Sequence, residues 1–268
     1  MSTGEQARLD AAMGDEVLVE RVGDVDLVTL NRPRQKNTLT RSTYDRLEAA
    51  VRDTTARCLV ITGADPAFCA GDDVHRFMST GELTAFLEEE DTLTTCTEAL
   101  LFTDVPVIAA VNGVAVGWGM ELALLADIRI ASEQARFGEV FVLRGLCSDV
   151  PGAGLLARLV GREHAARMLL TGEIIDAARA SAVGLVSEVV KHQDVVVRAL
   201  ELAGTIAANP PLAIRYQKES LRQACEPDWY DLGRSVRRRQ AQLSRTEDYA
   251  ESVRAFVERR RPARYEGR

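Results

Sequence analysis

Two stretches of the chain hold residues suited to chemistry on a developing negative charge. In the first, the apolar, β-branched run Val107 to Val111 meets the turn signal Asn112-Gly113. It then passes through Gly117-Trp118-Gly119 into Met120-Glu121-Leu122-Ala123-Leu124-Leu125-Ala126, which is rich in helix formers. That order predicts strand, tight loop and helix. The first N–H groups of such a helix lack intrahelical acceptors and lie at the positive end of its dipole, so they suit an oxyanion. Glu121 falls in the first turn and has two readings, compensation of the dipole or a general acid or base. In the second stretch Cys58 to Thr62 reads as a buried strand and Gly63-Ala64-Asp65-Pro66 as a turn. Ala67-Phe68-Cys69-Ala70-Gly71-Asp72-Asp73-Val74 then gives another glycine-bearing loop ahead of a helix. Two loops with exposed amides suit an enzyme that holds a negative oxygen between them, although an Ala-Gly-Asp tripeptide alone is an ordinary turn.

The elements that must position these loops follow in order. Residues 1–15 are polar and read as a flexible arm. Glu16 to Leu30 alternates about Gly23-Asp24, a hairpin, and Pro33 turns the chain out of its second strand. Thr40 or Ser42 caps a helix through Tyr44, Leu47 and Val51. Leu93 to Phe102 is a helical run, Ile128 to Ser132 a strand, and Val140 to Gly152 a loop without period, where site residues tend to sit. Leu155 to Leu170 is a helix broken at Gly161, Ile175 to Gly184 a helix ending at its glycine, and Leu185 to Val190 a strand. From Val195 the chain reads as helices Val195 to Ala208, Leu212 to Ala224 and Trp229 to Arg259. The expected division is therefore an α/β core over 16–194 and a helical region over 195–268.

Composition narrows the function. With 268 residues, 46% hydrophobic and 27% charged, the chain can bury a large core. A net charge of −7 speaks against a protein that binds nucleic acid by broad phosphate attraction, so an anionic ligand needs local cations. Arg32, Arg34 and Lys36 form a basic cluster that on charge alone is a solvated loop. Cys58, Cys69, Cys96, Cys147 and Cys225 show no CxxC or His-paired spacing, which predicts reduced thiols in a cytoplasmic protein and no metal site. No run is apolar enough to predict a membrane span.

The segments Ala67 to Val74 and Ala110 to Ile128 together resemble the two signatures of the crotonase (enoyl-CoA hydratase/isomerase) superfamily. Asn31-Arg32-Pro33 with Asn37, and the tail Ala255 to Pro262, are similar to its opening and closing patterns, so the match spans nearly the whole chain. The resemblance implies a spiral of ββα units with a C-terminal helical trimerisation region packed against a neighbouring active site, in a homotrimer or dimer of trimers. It implies an acyl-CoA substrate, with coenzyme A entering as part of that substrate and no separate cofactor. No nucleic-acid or membrane partner is expected, and some relatives of the fold that bind RNA suggest a non-catalytic acyl-CoA or RNA binder as the rival class.

Residue by residue, the resemblance maps an oxyanion hole onto the backbone N–H groups of Asp72 and Trp118, where the pattern has a small or apolar residue and a glycine. Arg34, Ala70, Asp73, Val74 and His75 map to coenzyme A contacts. The residues that follow, to about Glu90, map to a variable cover of the acyl pocket. Glu121 matches one of the two glutamates of family hydratases; the other position is occupied by Phe141, which cannot move a proton and becomes an acyl-pocket wall. The loop Gly145 to Asp149 resembles that of members that shift a double bond, and it makes Asp149 the second acid/base candidate, against a plain reading as a helix cap. Isomerisation is thus favoured, with 2-enoyl-CoA hydration as the alternative. Glu139 reads as a surface acid, His164 and His192 as structural or exposed, and Arg259 as a solvated charge that in the family reaches a neighbouring nucleotide.

Overall fold

The computed structural model describes residues 15–74, 93–149, 152–225 and 229–260. The arm over 1–14, His75 and the segment expected to cover the acyl pocket lie outside the described residues. Within them, β1 (Val17–Val22) and β2 (Val25–Leu30) form the antiparallel hairpin, with Val22 opposite Val25. Helix α1 (Arg41–Arg52) starts at Thr40, whose hydroxyl accepts from the Thr43 N–H in a reciprocal cap. Its buried face of Tyr44, Leu47 and Val51 follows the helical period.

The chain then repeats one step three times. It lays a strand in a large sheet, a strand in a small sheet, and a helix outside both. The steps are β3 (Cys58–Gly63), β4 (Ala67–Cys69) and α2 (Thr95–Phe102); β5 (Val107–Val111), β6 (Val114–Val116) and α3 (Trp118–Leu125); and β7 (Ile128–Ser132), β8 (Arg136–Gly138) and α4 (Gly152–Thr171). After these come β9 (Ile175–Asp176), α5 (Ala177–Ala182) and β10 (Glu188–Val190). The large sheet runs β1-β2-β3-β5-β7-β10, parallel apart from the hairpin, and the small one β4-β6-β8-β9. This is the spiral of ββα units that the signature segments imply.

A parallel sheet needs cover on both faces, and the strand residues alternate to supply it. Leu59 and Ile61 enter one apolar cluster with Val28, Leu47 and Val111. Val60, Ile108 and Ile130 enter the other, beneath α6 (Val195–Ala207). That helix presents Val195, Ala199, Ala203 and Ala207 at four-residue intervals, so a stripe of small side chains lets it settle close on the sheet.

The small sheet's β4 and β6 lie in stretches read from sequence as loops, and other boundaries differ too. Ile175–Asp176 is a strand edge, and the helix after it starts at Ala177 because the Asp176 side chain accepts from the Arg179 N–H. The long helix expected to Arg259 is two: α8 (Trp229–Leu243) and α9 (Glu247–Val257), separated where the Thr246 hydroxyl caps the second by accepting from the Tyr249 N–H. Ahead of them lies α7 (Pro211–Cys225).

The loop after β2 is held by Asn37, which sits at φ 56°. Its side-chain amide donates to the carbonyls of Ala64 and Ala67, both at 2.7 Å, and its oxygen accepts from the Arg32 N–H at 2.9 Å. Asn37→Ala removes three hydrogen bonds to buried or part-buried backbone groups and loses the tolerance of asparagine for a left-handed conformation. It is expected to lower stability by on the order of 2–4 kcal/mol, read by urea denaturation.

Candidate active site

The two loops meet because their glycines leave no room for side chains. A β-carbon on Gly119 would collide with the Cys69 carbonyl, and one on Gly71 would stand 2.9 Å from the Val116 oxygen and 3.4 Å from the Trp118 nitrogen. Gly71 also lies at φ 84°. Leu39 fixes the first loop through a two-way bridge, donating to Gly71 O at 2.9 Å and accepting from the Asp73 N–H at 3.0 Å. Gly117 at φ 56° starts α3 and donates to Gly138 O at 3.0 Å. Among the described residues no hydrogen bond uses the N–H of Asp72 or of Trp118. Both residues line a cavity of about 430 Å³, together with Ala70, Asp73, Val74 and Phe141.

The unusual side chains at the two amide positions are accounted for together. The Trp118 ring is buried edge-on against Tyr44, with centroids 4.6 Å apart, and the Tyr44 hydroxyl donates to Asp72 Oδ1 at 2.6 Å. The Asp72 carboxyl is pushed up to about 6 by burial, against the Tyr44 hydrogen bond, with the Asp149 charge pushing the same way and Arg237 pulling it down. Neither side chain obstructs its own backbone donor.

Glu121 stands behind this opening. Helix α3 is buried along its whole length, and Glu121 has no exposed surface. Burial drives its carboxyl well above the ordinary range, with the charges of Glu139 and Asp149 adding to the shift. The N–H groups of Gly152 and Asp149 favour the charged form, although neither closes a hydrogen bond of ordinary geometry. Gly152 is pressed directly on the carboxylate, where any β-carbon would collide with it. Asp149 is partly exposed and close enough to act electrically on Glu121, Glu139 and Asp72, so the structure brings the two sequence-derived acids to one place.

One expectation needs correction. Glu139 is 1% exposed, because it follows β8 into the inside of the loop, and burial and Asp149 raise its carboxyl too. Arg34 is exposed in the short 3-10 turn Pro33–Gln35 and does not line the cavity; Lys36 and Arg144 are the cations that do, while Arg32 is held by Asp73 at 3.0 Å. The last helices cover this chain's own loop over 140–149. Tyr249 and Val253 pack on Phe141 and Leu146, Ser252 donates to Leu143 O at 3.0 Å, and Gln240 accepts from the Cys147 N–H at 3.3 Å. Phe256 adds a cavity wall beneath the Arg144 guanidinium, 4.2 Å from the ring centre. No local sequence pattern links α9 to a loop a hundred residues earlier. His192 bridges Ser132 and the Asn112 carbonyl away from the cavity, as a structural histidine does.

Two loops leave two amides unused beside a pocket, with buried carboxyls behind them, and comparisons with known proteins give the class of the protein. The sequence profile of the enoyl-CoA hydratase/isomerase family matches residues 20–268. A 2,3-dehydroadipyl-CoA hydratase of Escherichia coli K12 is 39% identical over 251 residues, covering 92% of this chain and 97% of the other. An enoyl-CoA hydratase/isomerase structure from Pseudoalteromonas atlantica has a TM-score of 0.84 at 27% identity, covering 94% of this chain and all of the other. A monofunctional enoyl-CoA isomerase from M. smegmatis has a TM-score of 0.67 at 32% identity, covering 80% and 95%. The chain belongs to the enoyl-CoA hydratase/isomerase family and is an enzyme of it.

The raised Asp72 carboxyl has a direct consequence for stability. Its folded form holds a proton more tightly than the unfolded chain does, so this contribution is complete below about 3.8 and lost as pH rises through about 6. Asp72→Asn removes the loss and keeps an acceptor for Tyr44. It is expected to be more stable than the parent by about 1–2 kcal/mol at pH 8, a figure reduced for the partial exposure of the residue, and to show no advantage at pH 3.5, by denaturation at the two pH values.

Proposed function

We propose that the protein moves a carbon–carbon double bond along the acyl chain of a coenzyme A thioester, from the 3- to the 2-position. Removing a proton from C2 shifts charge to the thioester oxygen, which the N–H groups of Asp72 and Trp118 receive; loss of one such donor typically costs on the order of 10²–10³ in rate. Asp149, partly open to solvent, takes the C2 proton. Glu121, kept neutral by its burial, gives a proton to C4 as the electron pair moves from the enolate. The apolar faces of Phe141 and Leu146 keep water from the intermediate.

The observation that carries this reading is the pairing of Asp149 with Glu121 around an apolar Phe141, where family hydratases carry a second glutamate. The 2,3-dehydroadipyl-CoA hydratase relative favours the second reading, addition of water to a 2-enoyl thioester. Lys36, Arg144, Ala70, Asp73 and Val74 support placement of the coenzyme A moiety along the cavity, with no further cofactor required by the chemistry. Leu212, Tyr216 and Leu221, exposed on α7, support assembly through the helical region into a trimer or dimer of trimers.

Absorbance assays with 2-enoyl-, 3-enoyl- and dienoyl-CoA substrates separate the two reactions. Turnover of the 3-enoyl substrate is expected to dominate, and Asp149→Asn to lower its kcat by roughly 10²–10⁴ with little change in KM. Equal turnover by Asp149→Asn removes that residue from the mechanism, and dominant hydration reverses the choice of reaction.

A further inference from the structure

Glu139 is a buried carboxyl that the mechanism above leaves unused. It follows Gly138, whose carbonyl accepts from the Gly117 N–H at 3.0 Å, while the Gly117 carbonyl accepts from the Glu121 N–H at 3.1 Å. Two backbone hydrogen bonds through one glycine therefore tie the segments carrying the two glutamates. Neither side chain reaches solvent, and none of the four carboxyl oxygens has a hydrogen-bond partner among the described residues. Of the charges that act on Glu121, Glu139 is the strongest, ahead of Asp149. Asp149 also acts on Glu139 and on Asp72, and Arg237 acts on Asp72 in the opposite sense. The charges acting on the two glutamates are thus all negative.

We infer that Glu139 is a positioning residue for the reaction: its carboxyl and that of Glu121 hold one proton between them, so that Glu121 meets the acyl chain as a neutral acid. Two anions in one dry space repel strongly, so such a pair gives up its first proton readily and keeps the second across a wide pH range. When Glu121 passes its proton to C4, both carboxyls of the pair are left anionic, and their mutual repulsion draws back one proton, the one Asp149 took from C2, before the next turnover. The inference rests on the reading of Glu121 as proton donor, and its first test uses no substrate.

Difference infrared spectroscopy of the ligand-free protein across pH, with glutamate 13C-labelled at the side-chain carboxyl, separates these groups from Asp72 and Asp149. The parent protein is expected to show a protonated glutamic acid band persisting above pH 7. In Glu139→Gln the Glu121 band is expected to titrate lower by about one pH unit or more, because the neighbouring charge is gone. The alkaline limb of kcat on a 3-enoyl-CoA is expected to move down with it, while KM stays within about twofold. A parent protein without the band, or a Glu139→Gln variant whose band titrates unchanged, overturns the inference. Should Glu139→Gln not fold, Glu121→Gln gives the reciprocal measurement: the Glu139 band must move down, and an unmoved band overturns the inference equally. Failure of the isomerase reading shows instead in the product formed, with the infrared titration as expected.

Discussion

The contact on which the site depends is the close approach of two backbone segments, Gly71 against Val116 and Trp118, and Gly119 against Cys69. At Gly71 the atoms met are all backbone, and at Gly119 they are the Cys69 carbonyl and β-carbon, so attraction between side chains does little to draw the segments together. The spiral does the work instead: β4 and β6 are parallel neighbours in the small sheet, and each runs directly into its loop. Strand pairing therefore sets the separation of two N–H groups, and the sheet's hydrogen bonds resist any drift between them. Because backbone and not side chain carries these two N–H groups, their placement is compatible with Asp72 and Trp118 where smaller residues are the pattern, and a pair so fixed would need no reorganisation in the proposed reaction.

That tolerance explains how much of the protein was legible in the sequence. The strands, the turn at Asn112-Gly113 and the helix start at Gly117 follow from local periodicity and turn chemistry, and the structure has all of them. The relation between Gly71 and Trp118 is not local, and it was readable only through the family signatures. Glu139 was misread because charge alone assigns a glutamate in a loop to the surface; its burial comes from the bond between Gly117 and Gly138, which no single segment reveals. Arg34 lies in the expected loop and is exposed, while Lys36, at φ 53° after the turn Pro33–Gln35, lines the cavity.

Burial of charge is the expense of this architecture. Asp72, Glu121 and Glu139 each sit where the neutral form is preferred, and a fold selected for stability alone would replace them with amides or apolar groups. Their environments nevertheless differ. Asp72 has the Tyr44 hydroxyl and the field of Arg237, so its charge is partly met; the two glutamates have neither. The gradient runs from a supported carboxyl beside the amides to unsupported ones behind them. The carboxyls with the fewest supporting groups are thus the two buried behind the amides.

The helical region adds to that arrangement. Helices α8 and α9 sit on loop 140–149 through Tyr249, Val253, Ser252 and Gln240, so the loop that carries Phe141 and Asp149 is clamped by the same chain's last helices. Phe141 and Leu146 form the floor of that contact as well as part of the cavity wall, and hence packing of the C-terminal helices and the shape of the pocket are one constraint. A change at Val253 or Tyr249 alters the pocket without touching a substrate. The charged groups behind the pocket stay dry only while those helices are in place, because Phe141 and Leu146 lie between the C-terminal helices and the opening.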